Sequence, residues 1–287
     1  MMDGVLLINK EEGLSSFDVV RKLKKLLNTK KVGHCGTLDP LAKGLLVVTV
    51  GKALKISRFL EADEKEYIAT IKLGERTATL DREGEVIEKK DISSFNKEDI
   101  NKVFNSLIGN IKQKPPIYSA VSVNGKRLYE YARENIEVEI KERDIEIKEL
   151  SLIDYGADFI KYKVVCSKGT YVRVLCETIA SKLNNIGYMS DLVRTRIGKL
   201  YLNDAYGLKD IENNNYKLID IESSLSDFVV LIAKDKDLYK ACNGNVLDFY
   251  IEGNILVIDE NHNVIALYEG DKENNRLMCN RVLKERE

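Results

Sequence analysis

Residues 45–50, Leu-Leu-Val-Val-Thr-Val, follow directly on a loop with three glycines and a proline. So apolar and β-branched a run reads as a buried strand, and a chain that contains it needs a sheet core to hold it. The loop before it, Gly33-His34-Cys35-Gly36-Thr37-Leu38-Asp39-Pro40-Leu41-Ala42-Lys43-Gly44, also carries one of only two histidines in the chain. Its glycines permit positive φ and close backbone approach. Pro40 pushes Asp39 towards an extended conformation, which holds the carboxylate out from a stiff backbone. An ordinary Asp-Pro turn is one reading and a working carboxylate the other. The basic lead-in, Arg21 to Lys31, and the buried strand favour the working carboxylate, because functional loops sit on rigid scaffolds.

Several chemistries are excluded by what is missing. A phosphate-binding P-loop needs G-x-x-x-x-G-K followed by a hydroxyl residue, and the nearest candidate, Gly51-Lys52-Ala53, lacks both ends. A zinc deaminase needs H-x-E and P-C-x-x-C, and no C-x-x-C occurs. No G-x-S-x-G elbow accompanies His34 or His262 for serine catalysis. Five scattered cysteines argue against a disulfide framework or zinc cluster and for a reducing compartment. No run approaches about 18 apolar residues, so no membrane span is expected, and Met1-Met2-Asp3-Gly4 does not read as a signal peptide. With 45 basic and 46 acidic side chains, bulk charge points to no nucleic acid, so any RNA-binding charge must be segregated onto one face.

In chain order, Val5–Lys10 reads as a first strand, and Ser15 or Ser16 can cap a helix with Phe17, Val20, Leu23 and Leu27 on one face. The cations on its other face are either a solvated helix surface or a phosphate-binding rim. Residues 51–60 suggest a short helix, Lys65–Gly74 an alternating strand, Asn96–Leu107 an amphipathic helix, and Tyr118–Arg133 a strand, tight turn and helix. Strands are expected over Ile136–Tyr155 and Phe159–Ser167, followed by a helix to Leu183. That order would place Arg173 near a helix N-terminus; a surface arginine is the competing reading. From about Ser226, short strand candidates at Val229, Ile255 and Val264 alternate with Asn/Gly/Asp turns, which suggests a small β domain.

The loop G-H-C-G-T-L-D-P-L-A-K-G closely resembles the catalytic loop of the tRNA pseudouridine synthase B (TruB) family. Further segments resemble the same family in the same order: Lys10-Glu11-Glu12-Gly13-Leu14-Ser15-Ser16, the K-x-Y segment from Lys65, Arg76–Gly84, Pro115–Arg133, Cys166-Ser167-Lys168-Gly169-Thr170-Tyr171-Val172-Arg173, and Leu192-Val193-Arg194-Thr195. The resemblance is good over residues 3–215 and loose beyond.

It implies an α+β fold, with a mixed, mostly antiparallel sheet in a catalytic domain over residues 1–225 and a small PUA-like RNA-binding domain over 226–287. It implies a cytoplasmic, monomeric enzyme that isomerises uridine-55 in the T loop of tRNA, without cofactor, metal, membrane or obligatory protein partner. Asp39 would act on the sugar, as nucleophile or as base for a glycal-type elimination. Arg173 would hold it in a bidentate pair. Tyr67 would stack on the base and could help remove the C5 proton, although a pKa of about 10 makes it a poor base at neutral pH. His34 would fill the stack vacated by the flipped base, or stabilise the loop. Lys10, the Arg21–Lys31 cluster and Arg127 would contact phosphates. Gly36, Thr37, Asp81, Lys168, Tyr171 and Leu192 would lie about the substrate, with a structural loop acid the competing reading for Asp81 and ordinary core packing for Leu192. The guide-RNA-dependent relatives share the Asp loop but carry a fuller C-terminal domain. A pure RNA-binding protein would need the basic surface but not the carboxylate.

Overall fold

The computed structural model describes residues 2–61, 64–134 and 136–284. The first strand, β1 (Gly4–Lys10), leads to helix α1 (Ser16–Leu26), whose cap is Ser15 in a reciprocal pair with Asp18. Next come β2 (Val32–Cys35) and β3 (Lys43–Val50), a 3-10 turn over Gly51–Ile56 that runs into α2 (Ser57–Leu60), and β4 (Glu64–Leu73). A small ribbon of β5 (Glu75–Thr77) and β6 (Val86–Lys89) precedes α3 (Lys97–Leu107) and β7 (Gly109–Gln113). The hairpin β8 (Ser122–Val123) and β9 (Lys126–Arg127) turns through Asn124 and Gly125, both at positive φ, into α4 (Leu128–Arg133).

The second half contributes β10 (Arg143–Tyr155), β11 (Phe159–Ser167), α5 (Val172–Lys182), β12 (Gly187–Ile197) and β13 (Leu200–Tyr201). Two short helices, α6 (Leu208–Glu212) and α7 (Ile221–Ser224), lead to a four-stranded sheet. Its members are β14 (Val229–Ile232), β15 (Asn254–Ile258), β16 (Val264–Asp271) and β17 (Arg276–Val282), with α8 (Asp235–Cys242) after the first.

Among the described residues nine strands share the main sheet, in the order β1-β3-β12-β4-β11-β10-β7, with β2 also on β3 and β13 on β12. All its pairings are antiparallel except β3 with β12, which touch in parallel at Lys43–Val193 and Gly44–Arg194. The fold is therefore α+β with a mixed, mostly antiparallel sheet, and the second, smaller sheet is carried by the C-terminal residues. Strands β1 and β3 are buried on both sides. Leu6, Ile8, Leu46 and Val48 pack against α1, while Val5, Leu7, Leu45 and Val47 meet Leu256, Ile258, Leu267 and Leu283. That is why both strands read as unbroken apolar runs rather than alternating ones. A further core lies beneath α3 and α5, around Ile71, Phe104, Tyr162 and Ile179, and another on the C-terminal sheet, around Val257, Ile265 and Tyr268.

Two expectations change, and one helix is new. Residues 136–142 form no strand; β10 starts only at Arg143, and Ile136 is left exposed because no neighbouring strand covers it. The loop from Gly33 begins as a strand, since β2 pairs with β3 from Val32–Val50 to Cys35–Val47. Helix α8 was not foreseen because it is only eight residues long and its packed face is just Leu238, Ala241 and Cys242, too short a stripe to stand out beside the flanking turns.

Candidate active site

The Asp39 loop is suspended from the sheet by side chains whose donors all point at its backbone. Arg194, on β12 and 1% exposed, donates through Nε to Leu45 O at 2.8 Å, through Nη2 to Gly36 O at 3.0 Å and through Nη1 to Thr37 O at 3.4 Å. Ser16 bridges the backbone of Leu38, with its Oγ accepting from the N–H at 2.9 Å and donating to the carbonyl at 3.1 Å. Leu38 and Leu41 drop into the core on either side of Asp39. The sequence Leu-Asp-Pro-Leu thus reads as two hydrophobic plugs that present a carboxylate between them. Gly44 must be glycine: φ is +100°, and a Cβ there would collide with the Arg194 carbonyl across the parallel contact.

Lys10 was expected on phosphate and is instead interior. It is 1% exposed, and its ammonium donates to Leu14 O at 2.7 Å, Glu11 O at 3.0 Å and Pro40 O at 3.2 Å. Three protons meet three carbonyls, so no donor remains for RNA. Burial holds its pKa below the usual lysine range, while Asp39 opposes that shift. Lys10 therefore staples the Pro40 end of the loop.

Asp39 faces a cleft of about 460 Å³. Its walls include Gly36, Thr37, Lys65, Tyr67, Tyr171, Arg173 and Leu192, so most of the residues expected about the substrate do converge. A larger cleft of about 560 Å³ beside Leu7, Ile197 and Ile219 has no arginine in its walls, and its acids are solvent-exposed. The smaller one is the chemically equipped site. Tyr67 lies on β4, between Val164 of β11 and Arg194 of β12, with its ring 9% exposed. Burial raises its pKa above that of free tyrosine, with Arg194 opposing the shift.

Arg173 occupies the second position of α5 and reaches Asp39, but not as a bidentate pair. Its Nη2 lies 3.4 Å from Asp39 Oδ2, and its shorter contacts go elsewhere: Nη1 to Asp81 Oδ2 at 3.0 Å and Thr79 O at 3.2 Å, Nη2 to Tyr118 O at 3.1 Å. Asp81, expected near the substrate, lies behind the arginine and is 4% exposed. Its other oxygen accepts from Thr79 Oγ1 at 2.6 Å and the Glu83 N–H at 3.1 Å. A buried carboxylate with a fixed hydrogen-bond shell outcompetes the half-exposed Asp39 for the guanidinium. Arg173 is consequently locked in place before any substrate arrives.

The remaining expected residues sit farther out. His34, on β2, does not line the cleft; its Nδ1 is buried without a hydrogen bond among the described residues, and desolvation lowers its pKa. Lys168 is exposed on the turn before α5. Arg127 is exposed at the β9 end of the hairpin, where its Nη1 donates to Ala120 O. The hairpin segment itself contributes Tyr118, Ser119, Ala120 and Tyr129 to the cleft. Among the cations of the cleft, two had no role assigned from sequence, Arg194 and Lys65. Both stand inside family-like segments, where motif spacing marks the position and not the partner.

Residues 24–172 match the family described as TruB family pseudouridylate synthase (N terminal domain). Among curated proteins, the chain is 41% identical to tRNA pseudouridine synthase B of Bacillus cytotoxicus, over 93% of this chain and 92% of that one. It is 42% identical to the protein of the same name from Clostridium kluyveri, over 85% of this chain and 84% of that one. Among solved structures, the crystal structure of a Cbf5-Nop10-Gar1 complex contains a chain similar over 99% of this one and 85% of its own length. The TM-score is 0.75 and the identity 22%, a likeness of fold.

Proposed function

The chain belongs to the TruB family of pseudouridylate synthases, and from that premise we propose that it converts uridine-55 in the T loop of tRNA to pseudouridine, with Asp39 acting on the ribose. The observation that carries this reading is the setting of Asp39. A half-exposed carboxylate stands between two buried leucines at a cleft that contains Tyr67 and is faced by a fixed arginine. A binding module needs no such arrangement. The choice of tRNA as substrate is supported by relatives of about 41% identity named for tRNA, and the T-loop position by the motif resemblance.

In this reading the target uridine leaves the base stack, at a cost of a few kcal/mol, and enters the cleft. Its N1–C1′ bond breaks, the base turns, and a C5–C1′ bond forms; the C5 proton leaves to solvent and N1 takes one up. Asp39 serves as nucleophile at C1′ or base at C2′, aimed by Arg173. Tyr67, whose raised pKa keeps it protonated at neutral pH, stacks on the base rather than deprotonating it. Exposed Lys22 and Lys25 on α1 and Lys30 and Lys31 between α1 and β2, with Arg127 and Lys168, meet the tRNA backbone. The enzyme works as a monomer in the cytoplasm; no described helix is long and apolar enough to cross a membrane.

The test is product mapping on an unmodified tRNA transcript. Pseudouridine is expected once, at position 55, and a transcript with cytidine there is expected to yield none. Conversion at other uridines with position 55 untouched would overturn the T-loop assignment.

A further inference from the structure

Strand β4 buries every second side chain: Leu73, Ile71, Ala69 and Tyr67 point into the core or the cleft floor. The next residue on that face is Lys65. A face that is apolar for four alternate positions ends in an ammonium, and it does so where the strand enters the cleft. The Lys65 amine lies against the Asp39 loop: a Cβ on Gly36 would be 3.7 Å from its Nζ and 3.6 Å from Arg194 Nη1. These two cations differ in one respect. Each Arg194 nitrogen donates to a backbone carbonyl, whereas no hydrogen bond or ion pair holds Lys65 among the described residues. Desolvation lowers its pKa, with Arg194 adding to the shift and Glu61 opposing it. A half-buried ammonium without an acceptor is costly unless a ligand supplies one.

We propose that Lys65 is a catalytic residue that donates to a uracil carbonyl and stabilises the detached base. The proposal rests on the reading that the cleft takes a uridine. When the N1–C1′ bond breaks, its electron pair stays on N1 and the negative charge spreads over O2 and O4. An ammonium in a partly desolvated wall is placed to stabilise that anion. Uracil is also pseudo-symmetric about the line through N3 and C6. A half-turn about that line exchanges N1 with C5 and O2 with O4. A donor fixed in the wall therefore meets a carbonyl oxygen before the rotation and another after it. Cytosine, with an amino group at C4, would offer it a donor in one of the two states, so the same lysine discriminates against cytidine.

The test pairs protein and substrate changes on whichever uridine the wild-type enzyme converts, so its outcome is separate from the T-loop assignment. Lys65→Met is expected to slow single-turnover conversion at least about 100-fold, with tRNA affinity within about three-fold and the salt dependence of binding unchanged. Lys65→Arg should recover at least about ten-fold of that loss. In transcripts with 2-thiouridine or 4-thiouridine at the target, at least one sulfur should slow the wild type about ten-fold and leave Lys65→Met no slower. Should Lys65→Met fail to fold, Lys65→Gln is assayed in its place with the same expectations. Thio effects of equal size in wild type and variant would overturn the proposal. So would a loss that appears only in affinity, with the salt slope reduced by about 0.9, which would make Lys65 a phosphate contact.

Discussion

Asp39→Asn is expected to lower single-turnover conversion by at least about 1,000-fold, which corresponds to about 4 kcal/mol of barrier. Asparagine keeps the shape and can still accept from Arg173 Nη2, which lies 3.4 Å from the carboxylate. It can neither attack C1′ nor take a proton from C2′. The loop should stay in place, because none of its anchors uses the Asp39 side chain: they are the Arg194, Ser16 and Lys10 contacts to backbone and the two buried leucines. Binding of tRNA, measured by filter retention, should therefore remain within a few-fold of wild type. A fall in affinity parallel to the fall in rate would instead make Asp39 a binding residue.

Arg194→Met is expected to cost about 3–5 kcal/mol of stability, since it strands the carbonyls of Leu45, Gly36 and Thr37, each worth about 1–3 kcal/mol if left unsatisfied. In thermal denaturation that loss should appear as a fall of roughly 10 °C. Activity should fall further than stability explains, even at temperatures where the variant is fully folded. The reason is that Gly36 and Thr37 lead directly into Asp39, and displacement of a catalytic group by about 1 Å costs on the order of 100-fold. Gly44 responds to the same geometry from the other side, because it lies against the Arg194 backbone. A variant that melts and turns over like wild type would show that the loop is held by its leucines alone.

These two residues illustrate what the sequence made legible. Asp39 was found because the loop marks it: glycines, a proline and a basic lead-in surround one acid, and the motif fixes its number. Tyr67 and Arg173 followed from the same resemblance, and the strands around them from alternation and apolar runs. The partners of the cations were not legible. Lys10 and Arg194 are long, charged side chains in polar-looking segments, and nothing local distinguishes a cation that will meet phosphate from one that will close on backbone carbonyls. Burial decides, and burial is set by strands far away in sequence: β12 brings Arg194 to Gly36, 158 positions earlier. Asp81 was open between a substrate neighbour and a structural loop acid for the same reason. As a loop acid beside the site it reads equally as a substrate neighbour or a structural acid, and only the fold shows Arg173 drawn back onto it. Strand β2 was hidden because two of its four residues, Gly33 and His34, lack strand character.

The central claim is that the cleft between the Asp39 loop and Tyr67 breaks and remakes the glycosidic bond of one tRNA uridine. Its most direct measurement is tritium release from an unmodified tRNA transcript labelled at uridine C5, under single-turnover conditions. Wild-type enzyme is predicted to release one tritium per tRNA, all of it from the T loop. Tight tRNA binding with no release would contradict the account and leave the chain a binding protein with an unused carboxylate.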